Sequence, residues 1–383
     1  MHASTTRILT THAGSLPRPR ALAELFGRQY RGEPVDAAAL AEAVDEATRR
    51  AVAAQREAGV DVGNDGEQPR ESFFTHVRHR MSGFGGTGTR APMRDIVIYE
   101  SFVALKMPEF ARATVSLVAT PAAVGPVAYV NRAPLDADLA RLRRLDPGFV
   151  ETFVTAPSPG IVAAAMENRH YPSLADYVRA VGAALRTEYT AIVEAGFVLQ
   201  LDCPDLAMER HTLFADRPLE EFLAFVDVVV ESINAALAGI PADRVRMHVC
   251  WGNYEAPHTL DVPLEAILPR LMPARVGALM LSMANPRHAH EHKVLKAHPL
   301  PREWLLVAGV IDTTTNYVEH PEVVADRLER AAEAVGDPHR VLAGTDCGFD
   351  TSAGLGEVAS EVVWEKLRAL RAGADLATRR LLG

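Results

Sequence analysis

Apolar, strand-like runs alternate with amphipathic helical patterns along most of the chain, and this alternation restricts the possible folds more than any other feature. Runs such as "FVLQLDCP" and "RVRMHVCW" each follow a long pattern with the apolar period of a helix. One such helix is expected to have Ser173 as its N-cap and to end at Gly196. Strands that are apolar on both faces are typical of parallel sheets covered by helices, so we predict an α/β protein.

The number of strand candidates favours a closed TIM-type (β/α)8 barrel over an open sheet. One candidate must lie outside the ring, because nine segments qualify: 6–12, 60–66, 124–130, 150–156, 197–203, 245–251, 277–283, 304–311 and 341–347. The Gly-rich stretch "MSGFGGTGTRAPMRD" indicates an inserted loop or lid within an excursion over about 68–113. We expect residues 1–383 to form a single catalytic barrel domain that carries this excursion.

Composition excludes several classes of protein. A formal net charge of −9 argues against sequence-independent nucleic-acid binding, which needs clustered Lys and Arg. No apolar run reaches the roughly 18 residues of a transmembrane helix, and the N-terminus lacks the apolar region of a signal peptide. Three cysteines are too few for a disulfide framework. We therefore expect a cytoplasmic protein without nucleic-acid or membrane partners, in which cysteines are more often metal ligands or reactive thiols.

Polar and metal-capable side chains accumulate where the predicted strands end. In barrels of this type the chemistry takes place at the carboxyl ends of the strands. The residues at these positions are His12, Gly14, Ser15, Asp65, Glu67, Asp202, Cys203, His248, Cys250, Ser282, Asp312, Asp346 and Cys347. A purely structural core does not predict such an accumulation at one rim, so we expect a functional site there.

His248 and Cys250 are separated by one residue of a predicted strand, so their side chains should point to the same face. With Cys347 from another strand end they offer the nitrogen and sulfur donors that zinc favours, and three protein ligands leave one position open for a substrate. Two thiolates suit the ion to binding a substrate thiolate rather than to activating water. The spacing alone gives similar weight to buried structural cysteines beside a hydrogen-bonded histidine.

Seven motifs occur in a fixed order along the chain: "THAGSLPR", "NDGE", "QLDCPDLAM", "HVCWGNY", "NPRHAHE", "GVIDTTTNYVEHPEVVADR" and "GTDCGF". From about residue 6 to 370 they resemble the cobalamin-independent methionine synthase family, in the short single-barrel branch that also includes epoxyalkane:coenzyme M transferases. The resemblance implies a (β/α)8 barrel with a catalytic Zn²⁺ held by His248, Cys250 and Cys347.

The resemblance also assigns a substrate site. It implies that Ser15, Glu67 and Asp202 hold the amino-acid end of homocysteine, with the two carboxylates pairing with the ammonium group. His12 is a candidate for proton transfer, and a purely structural hydrogen bond is the equal alternative. Asp312 is the second candidate catalytic residue, because it matches an aspartate of the family.

Two further residues complete the predicted substrate pocket. Trp251 follows the metal ligands and is expected to wall the pocket, and Arg18 is a candidate for binding a substrate anion. Cys203 should face away from Asp202 on its strand and is predicted to be a small buried residue. The histidine-rich stretch "NPRHAHEHKVLKAH" predicts a helix from about Pro286; a solvated helix start is favoured over metal chelation by its histidines.

The chain departs from the family's pattern in three ways. The family's fourth zinc ligand is a glutamate on the seventh strand, and the matching residue here is Ser282. A histidine implicated in methyl transfer from folate is replaced by Thr314. The N-terminal barrel of the long methionine synthases, which contributes to folate binding, has no counterpart. These departures argue against a folate-dependent methionine synthase and leave zinc-activated thiol alkylation intact.

The predicted function is therefore zinc-dependent alkyl (methyl) transfer to a small-molecule thiol. Homocysteine or a similar amino thiol is the expected acceptor, and the alkyl donor is something other than polyglutamyl folate, with a corrinoid protein as one candidate. Two alternatives remain open. The first is thiol alkylation of the epoxyalkane:coenzyme M transferase type, and the second is a catalytically altered metal-binding accessory protein.

Overall fold

The strands of the computed structural model, which describes residues 1–110, 114–145 and 147–383, divide into a large parallel sheet and a small antiparallel pair. Their bounds are β1 (Val62–Gly63), β2 (Phe84–Gly85), β3 (Ala122–Ala123), β4 (Glu151–Pro157), β5 (Val198–Asp202), β6 (Val245–Val249), β7 (Ala278–Ser282), β8 (Leu305–Ile311) and β9 (Val341–Thr345). The parallel sheet has the order β1-β4-β5-β6-β7-β8-β9, while β2 pairs with β3.

Thr10 and Thr11 join the two edges of the parallel sheet and close it into a barrel. Thr10 forms a parallel bridge with Ala343 of β9, and Thr11 forms one with Val62 of β1. The Thr11 amide donates to the Ala343 carbonyl at 2.8 Å, and the Val62 amide donates to the Thr10 carbonyl at 2.9 Å. The predicted ring of eight is therefore confirmed, with its first strand reduced to two bridged residues.

Helices follow most of the strands and cover the barrel. Their bounds are α1 (Arg20–Tyr30), α2 (Ala37–Glu57), α3 (Arg94–Val97), α4 (Glu100–Phe110), α5 (Ala133–Leu145), α6 (Pro159–Ala165), α7 (Leu174–Glu194), α8 (Leu219–Ala236), α9 (Leu264–Leu271), α10 (His292–Ala297), α11 (Pro321–Val335) and α12 (Ser360–Leu381). Short 3-10 turns lie at Thr75–His79, Pro204–Leu206, Met208–His211, Ala242–Arg244 and Pro338–Arg340. None of the helices in the described parts of the chain combines the length and hydrophobicity that a membrane crossing needs.

Helix α7 shows why the sequence forms these elements. The Ser173 hydroxyl accepts the Asp176 amide at 3.1 Å, as predicted for an N-cap. The helix ends just before Gly196, whose φ of 90° suits a residue without a side chain. Tyr177, Val181 and Leu185 recur every four residues and are buried, so one apolar face of the helix packs on the barrel.

The segment 124–130 is the candidate strand that lies outside the ring. It follows β3 and forms backbone hydrogen bonds with residues 80–83, among them an isolated antiparallel bridge between Tyr129 and Met81, but none with a strand of the barrel among the described residues. Val124 and Val130 are exposed, so their apolar character does not reflect burial in a barrel strand.

The predicted excursion over 68–113 contains regular structure instead of a plain loop. It includes the 3-10 turn at Thr75–His79, strand β2 and helices α3 and α4. Arg90, from the Gly-rich stretch, forms a buried 3.0 Å ion pair with Glu209 after β5, which ties the excursion to the barrel. Residues 111–113 of the predicted range lie outside the described residues. The expectation of a single domain stays a prediction.

Arg246 of β6 fastens the short first strand from inside the barrel. Its guanidinium donates to Gln200 Oε1 at 2.7 Å, to Thr11 Oγ1 at 3.1 Å and to the His12 carbonyl at 3.0 Å. It also lies 3.7 Å from the centre of the Phe153 ring. The closing residues are thus held by hydrogen bonds across the interior as well as by the two bridges.

Replacing Arg246→Met should lower the free energy of unfolding by about 2–4 kcal/mol, because three buried acceptors lose their donor. Urea denaturation followed by circular dichroism measures this loss. The control is Arg244→Met, at a more exposed arginine, which should change the free energy by less than about 1 kcal/mol. Equal effects of the two substitutions would show that the interior contacts do not hold the closure.

Candidate metal centre

Three side chains converge at the carboxyl end of the barrel. His248 lies on β6, Cys250 follows β6 and Cys347 follows β9; all three are buried, and their ligand atoms lie within 4.8 Å of one another. The two sulfur atoms are 3.9 Å apart. Two thiolates bound to one tetrahedral zinc at about 2.3 Å would lie about 3.8 Å apart, so the sulfur spacing fits such an ion.

Asp202, at the end of β5, orients His248. The two residues are register partners in the parallel sheet, and Asp202 Oδ1 lies 3.3 Å from His248 Nδ1. A ligating histidine commonly donates its second N–H to a carboxylate, which fixes the ring and its tautomer. The resemblance implied only a substrate contact for Asp202. Its contact with His248 depends on strand register, which no local motif encodes.

The protonation of the cluster also suits a cation. The contact with Cys347 and the nearby His248 hold the pKa of the Cys250 thiol well below its usual value despite burial. Burial by itself lowers the pKa of His248. The Cys250 thiolate and the Asp202 carboxylate raise it by more, so the net pKa is about 10. Both nitrogens of His248 face acceptors, since Nε2 lies 3.2 Å from the Asp346 carbonyl. A bound cation would take the place of the imidazolium proton in balancing the thiolate.

Ser282 ends β7 at the position where the resemblance implies a fourth ligand. Its hydroxyl donates to the Asp346 carbonyl at 2.8 Å. The Asp346 carboxylate accepts the amides of Met283, Ala284 and Asn285, each at 2.8 Å, and so holds the loop after β7. Burial raises the pKa of Asp346 to about 6. Within the described residues, the cluster therefore offers one nitrogen and two sulfur donors.

Glu67 has an unsatisfied carboxylate oxygen close to Asp202. Its Oε1 accepts the Thr155 hydroxyl at 2.8 Å, while Oε2 is buried with no hydrogen-bond partner among the described residues. Burial and the neighbouring Asp202 charge raise the pKa of Glu67 to about 7. Buried polar atoms are nearly always partnered, so this oxygen is a natural acceptor for an ammonium group of a substrate.

The backbone conformation of Glu67 and the packing of Gly14 fix the position of the Glu67 carboxylate. Glu67 has a φ of 56°, which is uncommon for a residue other than glycine. Gly14 packs against it so closely that a Cβ at Gly14 would lie 2.6 Å from Glu67 Oε1. The Gly14 position in "THAGSLPR" is thus explained by close packing against the carboxylate.

The other predicted rim residues pack around the loop after β9. Ser15 Oγ accepts the Asp350 amide at 3.3 Å. Asp312 Oδ1 accepts both the amide and the hydroxyl of Thr314 at 2.8 Å. Asn253, which sequence reasoning missed, donates to the Gly348 carbonyl at 2.8 Å and accepts the Thr313 hydroxyl at 2.8 Å. Asn253 links the loops after β6, β8 and β9. Its position directly after "HVCWG" is the sequence feature that could have identified it as part of the site.

His12 and Arg18 are engaged in structural contacts. His12 Nε2 bonds to Gln55 Oε1 at 2.8 Å, the Gly14 amide donates to Nδ1 at 3.1 Å, and burial lowers the pKa to about 4. A buried neutral ring with both nitrogens in use favours the structural alternative over proton transfer. Arg18 donates to the carbonyls of Glu67, Arg70 and Asp350, and its predicted contact with a substrate anion stays a prediction.

The histidine-rich stretch differs from expectation, whereas the place of Trp251 in the pocket wall stays a prediction. Trp251 is buried, donates to the Val262 carbonyl at 2.7 Å and stacks on His288 at 3.8 Å. The predicted helix from Pro286 is wrong at its start, because helix α10 begins at His292. His288 is buried in the preceding turns, where the Asn285 side chain accepts its amide, so it does not lie on a solvated helix. Cys203 is fully buried, as predicted.

Known proteins resemble this chain in sequence and in structure, although no protein-family model matches it. A methionine synthase of Sulfolobus acidocaldarius is 26% identical over 347 residues, covering 90% of this chain and 86% of the relative. The methionine synthase of Saccharolobus solfataricus is 26% identical over 375 residues, covering 97% and 95%.

Two solved structures share the fold. A B12-independent methionine synthase from Shewanella sp. W3-18-1, in complex with selenomethionine, has a TM-score of 0.76 at 23% identity and covers 98% of this chain and 99% of that one. A putative vitamin-B12-independent methionine synthase from Listeria monocytogenes has a TM-score of 0.63 at 18% identity, with coverages of 97% and 98%. At these identities the structures support the fold alone.

Replacing Asp202→Asn should weaken metal binding about 10–100-fold, because His248 loses the carboxylate that orients it. Competition with a chromophoric chelator measures the affinity. Asp205→Asn is the matched control, since this buried aspartate contacts the Ser158 hydroxyl instead of His248. An Asp202→Asn protein that binds metal as tightly as wild type would show that the contact does not position the ligand.

Proposed function

The chain resembles the cobalamin-independent methionine synthase family over nearly its whole length, and from this premise we propose that it transfers a methyl group to the sulfur of an amino thiol. Homocysteine is the acceptor, and Zn²⁺ is held by His248, Cys250 and Cys347. One observation carries the proposal: a buried His-Cys-Cys cluster lies at the same barrel rim as a buried carboxylate oxygen that lacks a partner. The two features match the thiol and the ammonium of the acceptor.

Each residue has a distinct role in this proposal. When bound, zinc lowers the pKa of a substrate thiol, which is about 8.5 in the free thiol, so that the thiolate forms at neutral pH. Glu67 Oε2 accepts the substrate ammonium, and Asp202 adds a second negative charge while it orients His248. We assign the substrate carboxylate to Ser15, whose Oγ contacts the Asp350 amide in the loop that follows Cys347.

The alkyl donor is proposed to be something other than polyglutamyl folate. Thr314 stands where the resemblance implies a histidine, and its hydroxyl donates to Asp312 at 2.8 Å. Asp312 Oδ1 thus has a neutral hydroxyl as its partner, and the residue at position 314 has no imidazole that could protonate a leaving group. A methylated corrinoid, whose leaving group needs no proton, suits such a site. A corrinoid protein is therefore the proposed donor.

The proposal extends to the domain organisation, the partners and the cellular location of the protein. The whole chain acts as one catalytic domain, and its partners are the small-molecule thiol and the alkyl donor, with no nucleic acid. All three cysteines are unpaired and buried. A thiol-rich site of this kind requires reducing conditions, and the cytoplasmic location stays a prediction.

One observation favours the coenzyme M alternative. Arg70 is buried and donates to the Thr155 hydroxyl, which contacts Glu67, yet its Nε and one Nη have no hydrogen-bond partner among the described residues. Free guanidinium donors suit a sulfonate. They also suit the carboxylate of an amino thiol, so the two acceptors must be distinguished by measuring activity with each of them. An accessory protein without catalysis would bind metal and turn over neither acceptor.

The direct test incubates the zinc-loaded protein with homocysteine and methylcobalamin, and in parallel with coenzyme M and an epoxyalkane. We expect methionine in the first reaction and no hydroxyalkyl-coenzyme M in the second. Cys347→Ser should abolish turnover, whereas Cys203→Ser, at a buried cysteine outside the cluster, should retain it. Product in the second reaction alone would establish the alternative, and product in neither would contradict methyl transfer from a corrinoid.

The pH dependence of kcat/KM should report Glu67. Its pKa of about 7 means that the carboxylate is protonated below neutral pH, so it loses the charge that binds the ammonium. We expect kcat/KM for homocysteine to fall about tenfold per pH unit below pH ~6.5. Glu67→Gln should lower kcat/KM and remove this limb, while 3-mercaptopropionate, which has no ammonium, should show no such limb with wild type. An unchanged profile in Glu67→Gln would exclude this role.

A further inference from the structure

A second group of metal-capable side chains lies outside the candidate metal centre. Asp95 comes from α3, His211 from the 3-10 turn after β5, and Asp261 from the loop between β6 and α9. One ligand atom of each lies within 4.8 Å of the others. His258 adds a fourth donor, because its Nδ1 lies 2.9 Å from Asp261 Oδ2 and 3.9 Å from Asp95 Oδ2.

Two buried atoms of this group lie close to their neighbours without forming a hydrogen bond. His211 Nδ1 lies 3.2 Å from Asp95 Oδ1, and His211 Nε2 lies 3.2 Å from Asp261 Oδ1. Even so, His211 Nδ1 and Asp261 Oδ1 have no partner of hydrogen-bond geometry in the described part of the chain. Both side chains are only 1% exposed. Buried polar atoms in this state cost about 1–3 kcal/mol each, which an ion among them would offset.

The orientation of His258 supports the same interpretation. Its Nε2 lies 3.1 Å from the Tyr254 carbonyl, so this nitrogen carries the hydrogen. Nδ1 faces the two carboxylates and lies 2.9 Å from Asp261 Oδ2, a contact that needs either a proton on Nδ1 or a metal ion bound by both atoms. A histidine that donates its second nitrogen to a backbone carbonyl is the usual arrangement of a metal ligand. The residue also keeps a φ of 53°, an uncommon conformation for a side-chain-bearing residue.

We propose that Asp95, His211, His258 and Asp261 form a second site for a divalent transition-metal ion. Two carboxylates neutralise the ion's charge, and two imidazoles supply nitrogen donors, a set that suits Zn²⁺, Mn²⁺ or Fe²⁺. The Tyr254 hydroxyl, 3.3 Å from Asp95 Oδ2 and 3.4 Å from His211 Nε2, borders the site. The site contains no sulfur, which distinguishes it chemically from the cluster of His248, Cys250 and Cys347.

Neighbouring residues hold the ligands and connect the two sites. His288 Nε2 lies 2.8 Å from Asp261 Oδ2, and Glu291 Oε1 lies 3.6 Å from His288 Nδ1. His288 in turn stacks on Trp251, the residue that follows Cys250. An ion at the second site would cross-link the excursion helix α3 to the loop that carries Trp251, and would thereby rigidify the wall next to the first centre.

Metal counting on the wild-type protein tests the proposal directly. The protein is depleted of metal, reloaded with excess Zn²⁺ and desalted. Its zinc content, measured by inductively coupled plasma mass spectrometry, should be two ions per chain. The double variant Cys250→Ser/Cys347→Ser should keep one ion, and Asp95→Asn/His211→Gln should keep the other. Asp216→Asn is the matched control, because it removes the Arg94 ion pair of α3 without touching the site, and it should keep two.

Cobalt substitution identifies which ion remains. Asp95→Asn/His211→Gln loaded with Co²⁺ should show the sulfur-to-cobalt charge-transfer band, and the double cysteine variant should show only weak ligand-field bands. One ion per chain in wild type, lost in the double cysteine variant and retained in Asp95→Asn/His211→Gln, would overturn the second site. The cluster would then be a network of protonated histidines, a state in which the pKa values of His258 and His288 are raised by Asp261. If a variant fails to fold, the wild-type count is read together with the wild-type Co²⁺ spectrum, because a single ion that shows the sulfur-to-cobalt band would leave the second site empty.

Discussion

The approach of the Cys250 and Cys347 sulfur atoms depends on closing a parallel sheet into a ring. The two cysteines are 97 residues apart and follow strands that are not neighbours. In a barrel whose strands all point the same way, both chain segments lie at one rim. That closure rests on Thr10 and Thr11, which bridge β9 and β1, and on Arg246, which holds them from the interior. The site is therefore a product of the barrel as a whole.

Local patterns predicted much of this structure. Apolar runs identified seven barrel strands, and the Ser173 cap and Gly196 end of α7 could be read directly, because each depends on a few consecutive residues. The donors His248, Cys250 and Cys347 could be proposed, since strand ends of a barrel share one rim. The shortness of the first strand could not be predicted, because its partners come from β1 and β9, far away in sequence.

The contacts that individual side chains make could not be predicted from the sequence. Arg18 and His12 carry groups that could serve chemistry, but the structure uses them to hold backbone segments, and nothing local distinguishes these two uses. His288 was placed on a solvated helix because its segment is polar and helical in pattern. Its burial comes from Asp261, 27 residues earlier, and from Trp251. Contacts of this kind depend on tertiary packing, which overrides local propensity.

The central claim is that the His-Cys-Cys cluster holds a zinc ion that binds the acceptor as a thiolate. Zinc-edge X-ray absorption with and without homocysteine tests this claim most directly, with homoserine as the analogue that lacks the sulfur. The account predicts an additional zinc–sulfur contact near 2.3 Å with homocysteine and no change with homoserine. Zinc-loaded protein whose spectrum is the same with and without homocysteine would contradict it.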